Sequence, residues 1–330
     1  MITVSDILHL PYTPDLTEGG SAYACHSLAY SSSQKGKMSI GQLRNLVGEM
    51  STELAFRRFL TEQAIPFQVH GATPFTHPDR YEVSLGGHHC KLDCTLISRR
   101  EQIARIRKDS ALTLSAPAVV PVNQFSAEGS KPEDIHIFAL SLGLTAVTSV
   151  EVDKALAAGQ PACLIHPLPD GWRCPRDWLP IEKLALKSEC ELPISIEIGG
   201  QNREREFSTA RLDLLPKKRV MVEQCFHSLA YLQASRRPES RIGLHSPTRG
   251  EAHIISPPEW GNIWVYGMDI LLMGWLSHEE YRRRAKVLNA GMRKFQIEQS
   301  LGKNLAVPME ELNPLRPLFK RIQDWAANRK

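Results

Sequence analysis

The stretch that decides the fold runs over residues 78–95 and reads Pro-Asp-Arg-Tyr-Glu-Val-Ser-Leu-Gly-Gly-His-His-Cys-Lys-Leu-Asp-Cys-Thr. Strand-forming residues lie on both sides of Gly86-Gly87, which predicts two strands joined by a tight glycine turn. The second strand carries Asp93 among leucine and isoleucine neighbours, where an unpaired carboxylate would be costly to bury. The stretch therefore predicts a β-hairpin in which Asp93 has a salt bridge, a metal ion or a half-exposed position.

Outward from the hairpin, helical and strand patterns alternate along the chain. Helical spacing over residues 40–64 predicts a long helix with Ser39 as its N-cap. Short strands are predicted at residues 67–70, 118–122 and 134–140, and helices at residues 99–114 and 149–156. This alternation predicts an α/β layout around one sheet.

Composition along the chain predicts four segments. Residues 1–39 are rich in Ser, Tyr and Gly and predict an irregular arm, whereas residues 40–159 form the α/β domain. The proline-rich residues 160–193 predict a connection, and residues 194–330 a second, α+β domain that binds substrate or a partner. Residues 194–200 repeat the pattern of residues 81–87, which leaves open a duplicated module or chance similarity.

Bulk composition is that of a globular protein, with 330 residues, 42% hydrophobic and 23% charged residues. The sequence contains no apolar run of about 18 residues and no basic-then-apolar leader at its start, so we expect no membrane span and no signal peptide. An odd number of scattered cysteines, seven in all, fits reduced thiols in the cytoplasm. The net charge of +4 permits a nucleic-acid partner.

The order of these features resembles the PD-(D/E)XK nuclease superfamily over about residues 40–140. The resemblance rests on a helix with an internal glutamate, a strand, Pro78-Asp79, a second strand, a glycine turn and a strand that carries an acid. It implies a restriction-endonuclease-like fold, in which helices flank a mixed sheet, and metal-dependent hydrolysis of phosphodiester bonds in DNA. By position, it implies that Glu53, Asp79 and Asp93 bind Mg²⁺ or Mn²⁺.

The chain departs from the family pattern at the lysine that follows the strand acid, because Thr95 stands in that position. Lys91 lies two positions before Asp93, and alternate residues of a strand share one face. Lys91 could therefore supply the positive charge for water or phosphate, or it could neutralise Asp93 in an inactive fold. Gln124 resembles a glutamine that some branches place on the following strand. We expect Gln124, Thr95, Arg99 and Arg100 to support the site or bind substrate.

Two functions stay open at this point. The first is a DNA endonuclease that serves restriction, phage defence or mobile-element processing. The second is a non-catalytic, nuclease-like subunit that binds nucleic acid or a partner protein. Basic clusters at residues 99–108, 217–219, 236–237 and 282–286 favour a polyanion partner, with solvated charged faces as the alternative.

Cysteines and histidines form two further patterns. Cys163, His166, Cys174 and Cys190 have a loose zinc-site spacing, for which ordinary thiols in the proline-rich segment are the alternative. The adjacent placement of Cys225 and His227 favours a structural role, because a catalytic cysteine and histidine usually come from separate elements.

Overall fold

The structure is a computed structural model, and it describes residues 1–30, 38–70, 83–126, 130–250, 252–289 and 303–328. Pro78 and Asp79 therefore lie outside the described residues. No helix within these ranges has the length and apolar character needed to cross a membrane.

Helices and strands of the described ranges make this a mixed α/β protein, as predicted. The α-helices are α1 (Pro14–Tyr30), α2 (Ile40–Glu62), α3 (Arg100–Lys108), α4 (Val122–Phe125), α5 (Ser149–Ala157), α6 (Asp170–Arg173), α7 (His278–Arg284) and α8 (Leu315–Ala327). The β-strands are β1 (Leu8–Leu10), β2 (Phe67–Val69), β3 (Val83–Leu85), β4 (His88–Ile97), β5 (Pro117–Pro121), β6 (Ile135–Thr145), β7 (Leu164–Pro167), β8 (Ala185–Ser188), β9 (Ile194–Gln201), β10 (Phe207–Leu214), β11 (Arg219–Met221), β12 (Ser228–Ala234), β13 (Ile242–His245), β14 (His253–Ile255), β15 (Gly261–Asn262), β16 (Val265–Ser277), β17 (Lys286–Leu288) and β18 (Asn304–Pro308).

The chain divides into two compact units that are discontinuous in sequence. Unit 1 comprises Met1–Gly20, Gly48–Leu144 and Val265–Lys330, and unit 2 comprises Ser21–Val47 and Thr145–Trp264. This division differs from the predicted linear one, because β16 joins the same sheet as the hairpin strands instead of a separate C-terminal domain.

Unit 1 is built around a sheet with the strand order β1-β16-β6-β4-β3-β2. Strands β2, β3 and β4 are antiparallel neighbours, and β4 pairs in parallel with β6 after the α3 crossover. The predicted hairpin is confirmed, and its turn glycines, Gly86 and Gly87, have φ angles of +59° and +86°. The unit's core includes Ile106 of α3, Phe138 of β6 and Tyr281 of α7. A smaller sheet has the order β17-β18-β5.

Unit 2 contains one sheet with the order β10-β9-β12-β7-β15 and another with the order β11-β8-β13-β14. The prediction that residues 160–193 form only a connection is wrong, because β7 and β8 each lie inside one of these sheets. Gly199 and Gly200 lie within β9 and do not form a turn. The small size of Gly199 is required there, because the Tyr231 ring of the neighbouring β12 occupies the space that a side chain at position 199 would need.

The N-terminal residues also differ from the prediction. Instead of an irregular arm they form β1 and the 17-residue helix α1. The helix was hidden by its small residues, which pack closely: a Cβ atom at Gly19 would lie 2.7 Å from Leu54 Cδ1. Ser39 does cap α2, since its Oγ accepts from Gln42 N at 3.2 Å and its own N–H donates to Gln42 Oε1 at 2.7 Å.

Candidate functional site

The carboxylate of Asp93 lies at the centre of a polar cluster in unit 1. Its side chain is 8% exposed, and its two oxygens have different partners. Oδ1 lies 3.2 Å from Nζ of Lys91, and Oδ2 lies 3.1 Å from Nδ1 of His136. The parallel register of β4 and β6 sets Lys91 opposite His136, so both partners come from neighbouring strands. The salt bridge to Lys91 is one of the partners that the sequence predicted for Asp93.

The electrostatics of Asp93 follow from these partners. Burial by itself would raise its pKa, because a charged carboxylate loses hydration. The ammonium of Lys91 and the hydrogen bond from His136 outweigh that effect and hold the pKa below its ordinary value. Asp93 is therefore ionised at neutral pH.

Gln124 completes one side of the cluster. It lies in α4, directly after β5, and its Oε1 accepts a hydrogen bond from Lys91 Nζ at 2.8 Å. Lys91, Asp93 and Gln124 were all selected from the sequence, and the structure brings them into one hydrogen-bonded group. The Lys91 ammonium is thus held between a carboxylate and an amide oxygen.

Two histidines extend the other side of the cluster. Nε2 of His136 lies 3.2 Å from Nδ1 of His278, the first residue of α7. The ring of Phe125 stacks on His278, with centroids 4.1 Å apart and planes 7° apart. Sequence reasoning missed both histidines, because their positions are 142 residues apart and only the fold brings them together.

Helix α2 carries the predicted acid Glu53 and a second acid, Glu49, and the predicted metal-binding role of Glu53 stays a prediction. Glu53 is buried and forms an ion pair with Arg57 on the next turn of the helix. Glu49 lies one turn earlier and interacts electrostatically with both Lys91 and Asp93. Their four-residue spacing, which puts both acids on one helix face, was the signal that could have indicated Glu49.

Glu49 is an exposed residue, yet the protein atoms around its carboxyl group remove part of the hydration of that group. This desolvation raises its pKa to about 7; the ammonium of Lys91 opposes the shift, and the charge of Asp93 adds to it. Glu49 therefore exchanges its proton near neutrality.

The remaining sequence-selected residues lie near the cluster in the chain or outside the described residues. Thr95 follows Asp93 on β4, where it pairs with Leu140 of β6. Arg99 and Arg100 are exposed at the start of α3, beyond the end of β4. Asp79 lies outside the described residues, so its predicted role stays a prediction.

The resemblance implies a divalent cation, which needs oxygen ligands from nearby side chains. Within the described ranges, no three His, Cys, Asp or Glu side chains are grouped so that they could hold a metal ion. The described carboxylates that interact at the cluster are those of Asp93 and Glu49. Mg²⁺ commonly uses one or two carboxylates and fills its other positions with water and phosphate oxygens. The two carboxylates match that mode of binding in number and chemical type.

Other sequence patterns have structural partners. His166 Nε2 lies 3.0 Å from His253 Nε2 and its Nδ1 lies 3.1 Å from the carbonyl oxygen of Glu259. No zinc-type grouping occurs around His166 among the described residues. On α7, Arg282 and Arg283 both pair with Glu279, which accounts for part of the C-terminal basic cluster.

Comparisons with known proteins give no assignment: no family model matches the chain, and no curated protein or solved structure shows significant similarity to it.

Proposed function

We propose that unit 1 carries a metal-dependent nuclease site of the PD-(D/E)XK kind, which hydrolyses phosphodiester bonds in DNA. The observation that carries the proposal is the convergence of Lys91, Asp93 and Gln124, which lie in one hydrogen-bonded group. The order of α2, β2, β3 and β4, followed by a crossover to the parallel strand β6, supports the restriction-endonuclease-like resemblance.

In this proposal, Asp93 and Glu49 hold Mg²⁺ or Mn²⁺, with Asp79 as a third ligand. When bound, such an ion polarises a phosphodiester and lowers the pKa of its water. Lys91 binds a phosphate oxygen of the substrate, and Gln124 keeps the Lys91 ammonium in position through the 2.8 Å hydrogen bond. Glu49 would lose its proton on cation binding, because a nearby dication reverses the effects that raise its pKa.

A cleavage assay tests this function directly. Purified protein is incubated with single- and double-stranded DNA and RNA, in Mg²⁺, in Mn²⁺ and in excess chelator. We expect metal-dependent cleavage of DNA that is lost in Asp93→Asn and Lys91→Met. Asp269→Asn is the matched control, because Asp269 pairs with Arg107 at the surface of the same unit. Absence of cleavage in every condition, or full activity of Asp93→Asn, would exclude the proposal.

A second candidate is the non-catalytic, nuclease-like subunit, and one specific observation favours it. The two described acids selected from the sequence already have cationic partners, Lys91 on Asp93 and Arg57 on Glu53. Their charges are compensated by the protein itself. This candidate predicts nucleic-acid or partner binding without cleavage. Binding to nucleic acid would weaken steeply with salt, because phosphate contacts release counterions. Metal-dependent cleavage in the same assay would eliminate it.

A further inference from the structure

Three side chains from three separate elements form a continuous hydrogen-bonded line in unit 1. Asp93 of β4 contacts His136 of β6 at 3.1 Å, and His136 contacts His278 of α7 at 3.2 Å. His136 uses both of its ring nitrogens in this line, and His278 uses one. The direction of each hydrogen bond therefore depends on which nitrogen carries the proton.

The chemistry of the end group sets that direction. An ionised carboxylate can only accept a hydrogen bond. Nδ1 of His136 therefore carries a proton and donates a hydrogen bond to Asp93 Oδ2. With a single ring proton, at Nδ1, His136 accepts through Nε2. The partner at that nitrogen, Nδ1 of His278, is then the donor.

We propose that Asp93, His136 and His278 form a directional relay that presents the unprotonated Nε2 of His278 as a proton acceptor. In the part of the chain that the structure describes, His278 forms its hydrogen bond through Nδ1 and none through Nε2. The His278 side chain is half-buried, and stacking on Phe125 holds its ring plane. Both features keep Nε2 in a fixed place where a proton donor can reach it.

Burial of His278 favours the neutral ring that a proton acceptor needs. Desolvation and the neighbouring Arg282 lower its pKa, while Asp134 and Glu279 oppose the shift. The ring is consequently unprotonated near neutral pH and can take up a proton.

The use of this acceptor in catalysis rests on the proposed nuclease function. In hydrolysis, Nε2 of His278 would take a proton from the attacking water, whose O–H electron pair forms the new O–P bond as the opposite P–O bond breaks. The leaving oxygen keeps that bond's electron pair, and His278 later releases its proton to solvent. Through the neutral His136, Asp93 would stabilise the imidazolium, as the carboxylate does in a catalytic triad. An ionised carboxylate has about four lone-pair positions, so a cation on Asp93 is compatible with this relay.

Nitrogen NMR of histidine-labelled protein tests the relay without any activity measurement. We expect both His136 and His278 to show a protonated Nδ1 and an unprotonated Nε2, the tautomer that free histidine disfavours. Resonances are assigned by loss in His136→Gln and His278→Gln. A doubly protonated His136, or a proton on Nε2 of His278, would overturn the relay on the parent spectrum alone, even if no variant folds.

Asp93→Asn provides the sharper test. Lys91 needs an acceptor, so the amide oxygen of the variant faces Lys91 and its NH₂ group faces His136. The direction of every bond then reverses, and both histidines are expected to move their proton from Nδ1 to Nε2. Reversal at His278 is decisive, because that ring does not contact Asp93; reversal at His136 alone would refute the relay. Asp269→Asn, the matched control, is expected to leave both tautomers unchanged.

The relay and the nuclease can fail separately. If both histidines show the expected tautomers but no nucleic acid is cleaved, the nuclease function is refuted and the relay stands. If DNA is cleaved but the tautomers differ from those expected, the relay is refuted and the nuclease function stands. If DNA is cleaved, His278→Gln is expected to lower kcat about 100-fold with little change in KM, the usual size of a general-base effect. An unchanged kcat would refute the catalytic use of His278.

Discussion

Each unit contains a hairpin with a Gly-Gly pair, and the two pairs have different roles. In unit 1, Gly86-Gly87 forms the turn between β3 and β4, with positive φ at both residues. In unit 2, Gly199-Gly200 continues β9, and the turn to β10 follows after Gln201. The difference comes from the neighbouring strand: the ring of Tyr231 covers Gly199, whereas no atom lies within 4 Å of a Cβ built at Gly87. The same dipeptide is thus used once for its backbone freedom and once for its small size.

The acids of the two hairpins differ in the same way. Asp93 is 8% exposed and is held by Lys91 and His136 inside unit 1. Glu197 of β9 also has two partners: it accepts a hydrogen bond from the Tyr231 hydroxyl at 3.1 Å and pairs across the hairpin with Arg211 of β10, whose side chain is 75% exposed. An ion pair with a solvent-facing arginine contributes little, whereas a largely buried ion pair is costly to leave incomplete. This contrast separates a candidate site from an ordinary surface ion pair.

Removal of the buried acid is expected to have the largest effect. Asp93→Ala leaves the Lys91 ammonium without its carboxylate in a largely buried setting, which should lower the free energy of unfolding by about 3 kcal/mol. Arg211→Ala, the matched control in the unit 2 hairpin, should cost less than about 1 kcal/mol. Urea denaturation measures both. Equal losses would mean that the buried and the exposed ion pair contribute equally to stability, contrary to the comparison.

Filling the strand glycine is expected to come next. A Cβ at Gly199 would lie 2.1 Å from Cε1 of Tyr231, so Gly199→Ala must displace a buried ring and should destabilise unit 2 by about 2 kcal/mol. Gly171→Ala is the control, because a Cβ there meets no atom within 4 Å. Thermal denaturation that shows the same stability for both variants would contradict close packing at β9.

Filling the turn glycine tests backbone freedom without crowding. At Gly87, φ is +86° and a Cβ would meet nothing within 4 Å. Gly87→Ala should therefore cost about 1 kcal/mol, from the left-handed backbone alone. Gly87→Asn should recover part of that loss, since asparagine tolerates this conformation better than alanine. If denaturation shows that alanine is tolerated without loss, the strain argument for this turn does not hold.

The smallest expected effect concerns Glu49 and depends on pH. Its folded pKa of about 7 lies above the ordinary value of 4.5, so the folded protein keeps a proton that the unfolded chain releases in this window. Stability should therefore fall as the pH rises from 4.5 to 7, by about 1 kcal/mol after allowance for solvent screening at an exposed group.

Glu49→Gln removes this pH-dependent loss and is expected to match the parent at low pH and exceed it at pH 8. Chemical denaturation in metal-free buffer, repeated across this range, measures the difference. Added Mn²⁺ should reduce the stability difference between Glu49→Gln and the parent at pH 8 if Glu49 and Asp93 bind the ion together. Parallel pH profiles of parent and variant would contradict the assignment of Glu49 to the Asp93 cluster.

The sequence alone determined features that depend on neighbours in the chain. The strand period placed Lys91 and Asp93 on one face, the glycines marked the first hairpin turn, and Ser39 capped α2 through local hydrogen bonds. Apolar neighbours of Asp93 also indicated that its carboxylate needs a partner, because burial of an unpaired charge is costly.

Only the tertiary structure decided the features that depend on distant contacts. The parallel pairing of β4 with β6 brought His136 to Asp93. Strand β16 and the helix α7 that follows it brought His278 to His136. The ring of Tyr231 requires a residue without a side chain at position 199, and Glu49 interacts electrostatically with Asp93. Such contacts join residues that no local pattern links, since propensity and periodicity act over a few positions. Asp93 and His136 are 43 residues apart in the chain, and His136 and His278 are 142 residues apart.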